Sequence, residues 1–405
     1  MSEVAFGRAV RLATERSTVR SDFRIGLEAV EKATGRLSFD PDVQYDGDGI
    51  RFRRGDVLFG KLRPNLRKAW LADKDGDAVG DFHVYRPVPE LMTSRYLAYL
   101  VLSEPFLEPV IASVYGAKMP RADWGEIRNI KVWAPPLPEQ RAIADYLDRE
   151  TAQIDAFIAK NEELITLLTE RRAAVIARAV TKGIDDAAEL KPSGVPALGS
   201  IPTGWAVRRV RNVGRAIIGL TYAPEDICGE DDGGTLVLRA GNIQDSRLDL
   251  EDCVYVSKSI PDSLRLRLGD IVICARNGSA RLIGKNALAT EEVVGQTWGA
   301  LMAVLRTPTN EYLRWVLNST IFTSSLGAFA TATINQLTSS TLHSLQFALP
   351  PRDEQVAIAA YLEEATNSID EAIRAAGRAT DLARERRAAL ISAAVTGKID
   401  VGVAV

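Results

Sequence analysis

Two long stretches of the chain carry apolar side chains at spacings of three, four and seven. In the first, Ile143, Leu147, Ile154, Phe157, Ile158, Leu164, Ile165, Leu168 and Val175 recur, and no glycine or proline lies between Pro138 and Lys182. In the second, Ile358, Leu362, Ile369, Ile373, Leu382 and Leu390 repeat the pattern. This periodicity predicts one long amphipathic helix in each stretch. The ends agree: Pro138 suits an opening helical position, Glu139 complements the helix dipole, and Gly183 and Gly397 suit C-terminal caps. Forty-odd residues at ~1.5 Å each make a rod on the order of 60–65 Å. Elsewhere the pattern shortens. Val57–Phe59, Thr235–Leu238 and Asp270–Cys274 read as strands punctuated by Gly, Asn and Asp, with helices expected at about 93–104 and 310–326. Residues 185–204, polar and rich in Pro and Gly, read as a linker.

The two helical stretches are copies. Residues 135–155, PPLPEQRAIADYLDRETAQID, align without gaps on 350–370, PPRDEQVAIAAYLEEATNSID, with twelve identities in twenty-one at an offset of 215. The same offset pairs 170–185, ERRAAVIARAVTKGID, with 385–400, ERRAALISAAVTGKID, at eleven identities in sixteen. Between these blocks the length is kept while most residues diverge, which implies a ruler. Upstream, Arg54-Gly-Asp-Val-Leu-Phe59 resembles Leu268-Gly-Asp-Ile-Val-Ile273, and Tyr96-Leu-Ala-Tyr-Leu100 resembles Tyr312-Leu-Arg-Trp-Val316. The chain is therefore two units, each a diverging globular part followed by a shared helix.

An apolar seam needs a partner. The middle of the first stripe holds Phe157, Leu164 and Leu168 where the second has Ala372, Ala379 and Ala383, so large-against-small packing as an antiparallel coiled coil is one solution. Packing of each helix on its own globular part is the other. The expected fold is α+β: two pseudo-twofold-related mixed domains separated by two long helices packed as an antiparallel coiled coil. Its expected parts are a first domain at 1–138, a central helix at 139–184, the linker at 185–204, a second domain at 205–352 and a C-terminal helix at 353–400.

Composition adds exclusions. The 405 residues carry 50 Lys+Arg against 53 Asp+Glu, a net charge of -3, with 46% hydrophobic and 25% charged residues, as in an ordinary globular protein. Cys228, Cys253 and Cys274 form no C-x-x-C pair and fit a reduced, cytoplasmic setting. No signal peptide or membrane-length apolar run is present. The two histidines, His83 and His343, offer little acid–base chemistry. Gly55-Asp-Val-Leu-Phe-Gly-Lys-Leu62 meets part of a phosphate-loop pattern, but Leu62 stands where a hydroxyl should hold Mg²⁺. The double-proline sites lack the flanking residues of an amino-methyltransferase motif, and no glycine-rich cofactor loop accompanies them.

Local charge says more than net charge. Residues 51–68 hold Arg51, Arg53, Arg54, Lys61, Arg63, Arg67 and Lys68 against Asp56, and 265–285 hold Arg265, Arg267, Arg276, Arg281 and Lys285 against Asp270. Two basic clusters at matching places suit a polyanion, since Lys and Arg neutralise phosphates while Arg, Asn and Gln pair with base edges. A solvated charged face is the alternative. A second strip precedes each helix, Tyr115–Arg121 in one copy and Ala330–Gln336 in the other. Its polar residues differ between copies, which suits two surfaces reading different sequences and equally suits loop drift.

The duplicated P-P-x-x-E-Q-x-x-I-A-x-Y-L, the helix ending E-R-R-A-A-[VL]-I-x-x-A-V-T-x-x-I-D, and a diverging domain before each resemble the specificity subunits of type I restriction-modification systems. Ile201-Pro-Thr-Gly-Trp205 resembles the family's entry segment, which the first unit lacks. The resemblance implies a non-catalytic subunit with two target-recognition domains, each reading half of an asymmetric bipartite DNA site. It also implies helices that dock modification subunits, two in number, and in some systems restriction subunits. S-adenosylmethionine, ATP and Mg²⁺ would then sit on those partners, with no cofactor or metal in this chain. An antiparallel pair of helices would set the half-sites roughly one DNA turn apart. The candidate DNA-binding residues are Lys61, Arg63, Asn65, Lys68, Lys118 and Arg121 in the first domain, and Arg276, Asn277, Arg281, Asn335 and Gln336 in the second. Two other classes stay in view: a self-contained methyltransferase or nuclease, which needs a catalytic set not found, and a coiled-coil adaptor without sequence-specific DNA binding, which leaves the paired clusters unexplained.

Overall fold

The apolar run Val57–Gly60 is buried at all four positions and becomes a central strand; Ile271–Cys274 does the same in the second half. In the computed structural model, residues 3–17, 21–38, 43–114, 119–329, 336–399 and 401 are described. The chain divides into two compact units, one of Met1–Glu163 with Ala376–Val405, the other of Leu164–Ala375.

Each unit is built on a four-stranded antiparallel sheet of the same order. In the first the sequence of neighbours is Val10–Ala13, Phe82–Pro87, Val57–Gly60, Ala69–Leu71. In the second it is Arg215–Ile218, Met302–Arg306, Ile271–Cys274, Asn286–Leu288. The central strands are apolar throughout because both faces are covered. Val57 and Phe59 enter a cluster with Phe6, Tyr85, Phe106 and Leu147, while Leu58 joins Phe52, Trp70 and Phe82 on the other face. Ile271 and Ile273 pack with Trp205, Tyr312 and Leu362, while Val272 and Cys274 pack with Leu238, Trp298 and Val304. Asp56, which opens the first strand, is buried and receives Arg86 Nε at 2.9 Å; Asp270 receives Arg306 Nε at 2.9 Å. The Gly-Asp landmark of the repeat is thus a structural ion pair. The Gly55–Lys61 segment is a turn and a buried strand, followed by the single 3₁₀ turn Pro64–Leu66 rather than the α-helix a phosphate loop opens.

The long helices are Leu137–Lys182 and Arg352–Ala394, of 46 and 43 residues. They run antiparallel inside each unit. In the first, Arg387 Nε bonds Asp155 Oδ1 at 2.9 Å and Arg384 Nη2 bonds Glu162 Oε1 at 2.7 Å, and Ile143 and Leu147 share a core with Ile391, Ala394 and Val395. In the second, Arg172 Nε bonds Asp370 Oδ1 at 2.7 Å, and Ile176 and Val180 share a core with Ile358 and Leu362. Both pairings considered from sequence therefore coexist, helix on helix and helix on globular part. The E-Q glutamines are ties: Gln140 Nε2 donates to Pro135 O at 2.9 Å and Gln355 Nε2 to Pro350 O at 2.8 Å, which fixes each double proline to its helix start. At the far ends Gly183 and Gly397 take φ of 77° and 70°, the left-handed conformation that suits glycine. Tyr96 Oη donates toward Trp133 O and Val395 O, and Tyr312 Oη toward Ala348 O and Val180 O, so matching tyrosines hold matching helix ends.

Three expectations change. Phe157 and Leu164 remain about half exposed, at 49% and 44%, so the large-against-small seam is not sealed there; Phe157 lines an open groove of about 360 Å³ with Ala379, Leu382 and Ala383. The helices expected at 93–104 and 310–326 are each broken in two, Ser94–Leu100 with Glu104–Ala112 and Asn310–Leu317 with Thr320–Phe329. Ser103 and Ser319 sit at the breaks, each with Oγ bonded back at 2.6 Å to a carbonyl of the preceding turn. The 185–204 stretch holds a hairpin, Leu190–Pro192 with Ser200–Pro202, and its Leu198 and Ile201 join the second unit's core.

Candidate nucleic-acid interface

In each unit the loop leaving the central strand pairs with the strip before the long helix. Leu62 forms an isolated antiparallel bridge with Arg121, and Arg276 forms one with Gln336. The backbone bonds around them correspond. Ala122 N–H donates to Lys61 O at 2.9 Å as Leu337 N–H donates to Ala275 O at 2.7 Å; Lys61 N–H donates to Asp81 O at 2.9 Å as Ala275 N–H donates to Leu301 O at 3.0 Å. The described ends of the two strips, Arg121 and Gln336, thus lie against the basic loop of their own unit.

The first surface gathers Lys61, Arg63, Asn65 and Arg121. Arg121 grips Asp81 with two bonds, Nε to Oδ1 at 2.9 Å and Nη2 to Oδ2 at 3.0 Å, and Lys61 Nζ lies 3.8 Å from Asp81 Oδ1. This hydrogen bonding with Asp81 raises the Arg121 pKa above its already high ordinary value, so the guanidinium stays charged. Arg63 N–H donates to Pro120 O at 2.9 Å, and its backbone takes a φ of 50°, as Arg67 takes 51°, at either end of the tight turn Pro64–Leu66. Left-handed conformations at two non-glycine residues store strain of order 1 kcal/mol or more each. The outcome is an Arg63 that projects into solvent and has no ion pair among the described residues.

Lys68 departs from this group. Its Nζ donates to Leu27 O at 2.7 Å, and burial, the largest influence on it, lowers its pKa. It is an internal strut, for the partner 41 residues away outweighs the basic neighbours in sequence. Of the remaining cations in the first cluster, Arg67 pairs with Glu104 at 2.6 Å and Arg53 with Glu15 at 3.6 Å. Lys118 and Asn335 lie outside the described residues.

The second surface gathers Arg276, Asn277, Arg281 and Gln336. Asn277 Oδ1 accepts the Ser279 N–H at 3.0 Å, an Asx turn that shapes the loop, and exposed Arg281 follows in the short helix Ala280–Leu282. Beside them opens a cleft of about 610 Å³ lined by Tyr222, Arg239, Asp252, Arg276, Asn277 and Leu301, among others. Arg239 and Asp252, paired at 3.2 Å, are two lining residues that the sequence pattern did not single out. Among the described residues no group of three or more His, Cys, Asp or Glu is arranged to hold a metal ion, and no helix is long and apolar enough to cross a membrane.

No protein-family model matches the chain. Among curated proteins it is 28% identical over 207 residues to the type I restriction enzyme StySPI specificity subunit of Salmonella potsdam, a match over 50% of this chain and 44% of that one. It is 24% identical over 321 residues to the type I restriction enzyme MjaVIII specificity subunit of Methanocaldococcus jannaschii, over 77% of this chain and 72% of that one. The chain is a homologue of type I restriction enzyme specificity subunits. Its match to the Salmonella specificity subunit spans less than half of that protein's length. The fold agrees along nearly the whole chain. A solved structure described as the structural basis of complex assembly and conformational transition of the type I R-M system superposes with a TM-score of 0.70 at 21% identity, covering 98% of both chains. This chain, with mixed sheets on two long helices, therefore shares that structure's fold.

Proposed function

We propose that this chain is the DNA-recognition subunit of a type I restriction-modification complex, with no chemistry of its own. Each unit reads one half of an asymmetric bipartite site. The observation that carries this reading is the pairing of a basic loop with a polar strip at matching places in both units, with different side chains displayed: Lys61, Arg63, Asn65 and Arg121 in one, Arg276, Asn277, Arg281 and Gln336 in the other. Conserved backbone with exchanged side chains suits one scaffold reading two sequences, because base edges are told apart by donor and acceptor pattern. Phosphate contacts by the same cations supply most of the affinity.

The helices carry the partners in this reading. Phe157 and Leu382, which line one groove of the first unit, stay 49% and 64% exposed, apolar surface of the kind that marks a protein interface. Modification subunits, in the expected number of two, dock there and bring S-adenosylmethionine; restriction subunits bring ATP and Mg²⁺ chemistry where present. The site of action is the cytoplasm, where the DNA is. Domains at 1–138 and 205–352 are the proposed recognition parts, joined to helices at 139–184 and 353–400.

Mapping of modified bases in host DNA, with the chain present and deleted, tests this directly. Loss of methylation at one asymmetric two-part motif is the expected result. R63A then weakens recognition of one half of that motif and R276A the other, each by about tenfold, the range of one lost base contact. An unchanged methylome together with equal losses on every DNA sequence from both substitutions would leave these residues as phosphate contacts only.

A further inference from the structure

Among the described residues of the first surface, Arg121 is the cation that a carboxylate grips with two bonds, and the geometry of that grip is informative. The guanidinium offers five N–H donors in a planar fork. Asp81 takes the side-on edge, Nε at 2.9 Å and Nη2 at 3.0 Å. Nη1 and the outer hydrogen of Nη2 remain, and they form the end-on edge whose spacing matches guanine O6 and N7. The backbone is fixed as well, through the Leu62–Arg121 bridge and the Lys61 N–H bond to Asp81 O at 2.9 Å. Arginine and carboxylate thus hang from two chain segments that are themselves tied to the same strand end.

Charge argues in the same direction. An arginine meant only for phosphate gains nothing from a carboxylate beside it, since Asp81 offsets part of the attraction of both Arg121 and Lys61 for a polyanion. The second unit lacks the device. There the backbone place of Asp81 is held by Leu301, 55% exposed, and that of Arg121 by Gln336.

We propose that Asp81 is a specificity-determining positioning residue, holding Arg121 side-on so that its end-on edge reads a guanine in the half-site of the first unit. This rests on the DNA-recognition reading above.

The test is selection of duplexes from a random-sequence library by the full-length chain, followed by sequencing, with binding to an unselected random duplex measured in parallel. Wild type enriches a two-part motif. D81N loses the guanine preference at one position of one half by about tenfold or more, leaves the other half unchanged, and tightens binding to the random duplex because a negative charge has gone. D81E, which keeps the carboxylate, restores part of the guanine preference, and R121K, which keeps charge without the fork, behaves like D81N in the motif. Retention of the guanine preference by D81N overturns the proposal, as does weakened random-duplex binding with information lost across the whole half-site, the mark of a merely structural role. Enrichment of no motif by wild type overturns the DNA-recognition reading itself, and is distinguished by appearing before any substitution is made.

Discussion

His83 follows Asp81 by two positions, on the strand Phe82–Pro87, buried, with Nδ1 3.2 Å from Tyr85 Oη. Burial above all, with the charge of Lys61 adding to it, pulls its pKa from 6.5 down to about 4. In the unfolded chain the ring takes a proton near 6.5, so between the two values the unfolded state binds more protons. Stability from this residue is fully present above pH 6.5 and is lost as the pH falls toward 4. The loss between pH 7 and pH 5 is about 2 kcal/mol. Urea midpoints of wild type and H83Q at both pH values check this: wild type should fall further than the variant, and equal falls would remove His83 from the account. Only part of this was readable in sequence. Arg63, Arg121, Arg276 and Gln336 were found from local charge and from their matching places in the two copies. The strut role of Lys68 and the grip of Asp81 were not, because each depends on a partner some 40 residues away, at Leu27 and Arg121.

At the scale of elements, the two copies of E-R-R-A-A carry one arginine each into the same kind of bond. Asp155 and Asp370 occupy matching places in the repeat, as do Arg172 and Arg387, and the structure pairs them crosswise, Arg387 with Asp155 and Arg172 with Asp370. Sequence identity suggests equal worth; environment does not. The Arg387 and Asp155 side chains are 8% and 9% exposed, and Arg387 also donates to Ala33 O at 2.8 Å and Thr34 O at 2.9 Å, whereas Arg172 and Asp370 are 22% and 23% exposed. Breaking the first pair leaves the buried Asp155 carboxylate to the exposed Arg36, 2.8 Å away, strips the Ala33 and Thr34 carbonyls of their donor, and should cost about 3 kcal/mol. R172A should cost about 1–2 kcal/mol, since water replaces much of what it loses. Denaturant midpoints of R387A and R172A decide, and equal costs would show that burial is not what separates them. The helices themselves were legible because a 3.6-residue period, a proline start and a glycine stop are local signals. The half-exposed Phe157 was not, for periodicity shows that a stripe exists and not how much of it the partner helix covers.

The molecule as a whole is divided differently from its sequence. The repeat suggests that each unit is one continuous stretch, yet the compact unit that holds the N-terminal sheet also takes in Ala376–Val405. Ile391, Ala394 and Val395 are buried there with Phe106, Tyr96 and Leu147, and Ser392 Oγ accepts the Glu104 N–H at 3.0 Å. This division was hidden because the matching blocks at 170–185 and 385–400 look alike, and nothing local says which sheet each will cover. The consequence is that shortening the chain at its C-terminal side should injure its N-terminal unit. Ending the chain after Ala375 removes two fully or nearly fully buried branched aliphatics, at about 1.5–3 kcal/mol each, together with the Arg387 bonds. That sum is comparable to the whole stability of an ordinary domain. Hydrogen exchange reads the outcome unit by unit. Amides of Val57–Gly60 and Phe82–Pro87 should lose protection, while those of Ile271–Cys274 and Met302–Arg306 keep it, because the second unit ends at Ala375 and retains its own core. Recognition should follow the same line, with the half-site of the first unit lost and that of the second kept. Loss of protection in both sheets together would mean that the two units unfold as one, and the specificity of one half could not then be altered by truncation without the other.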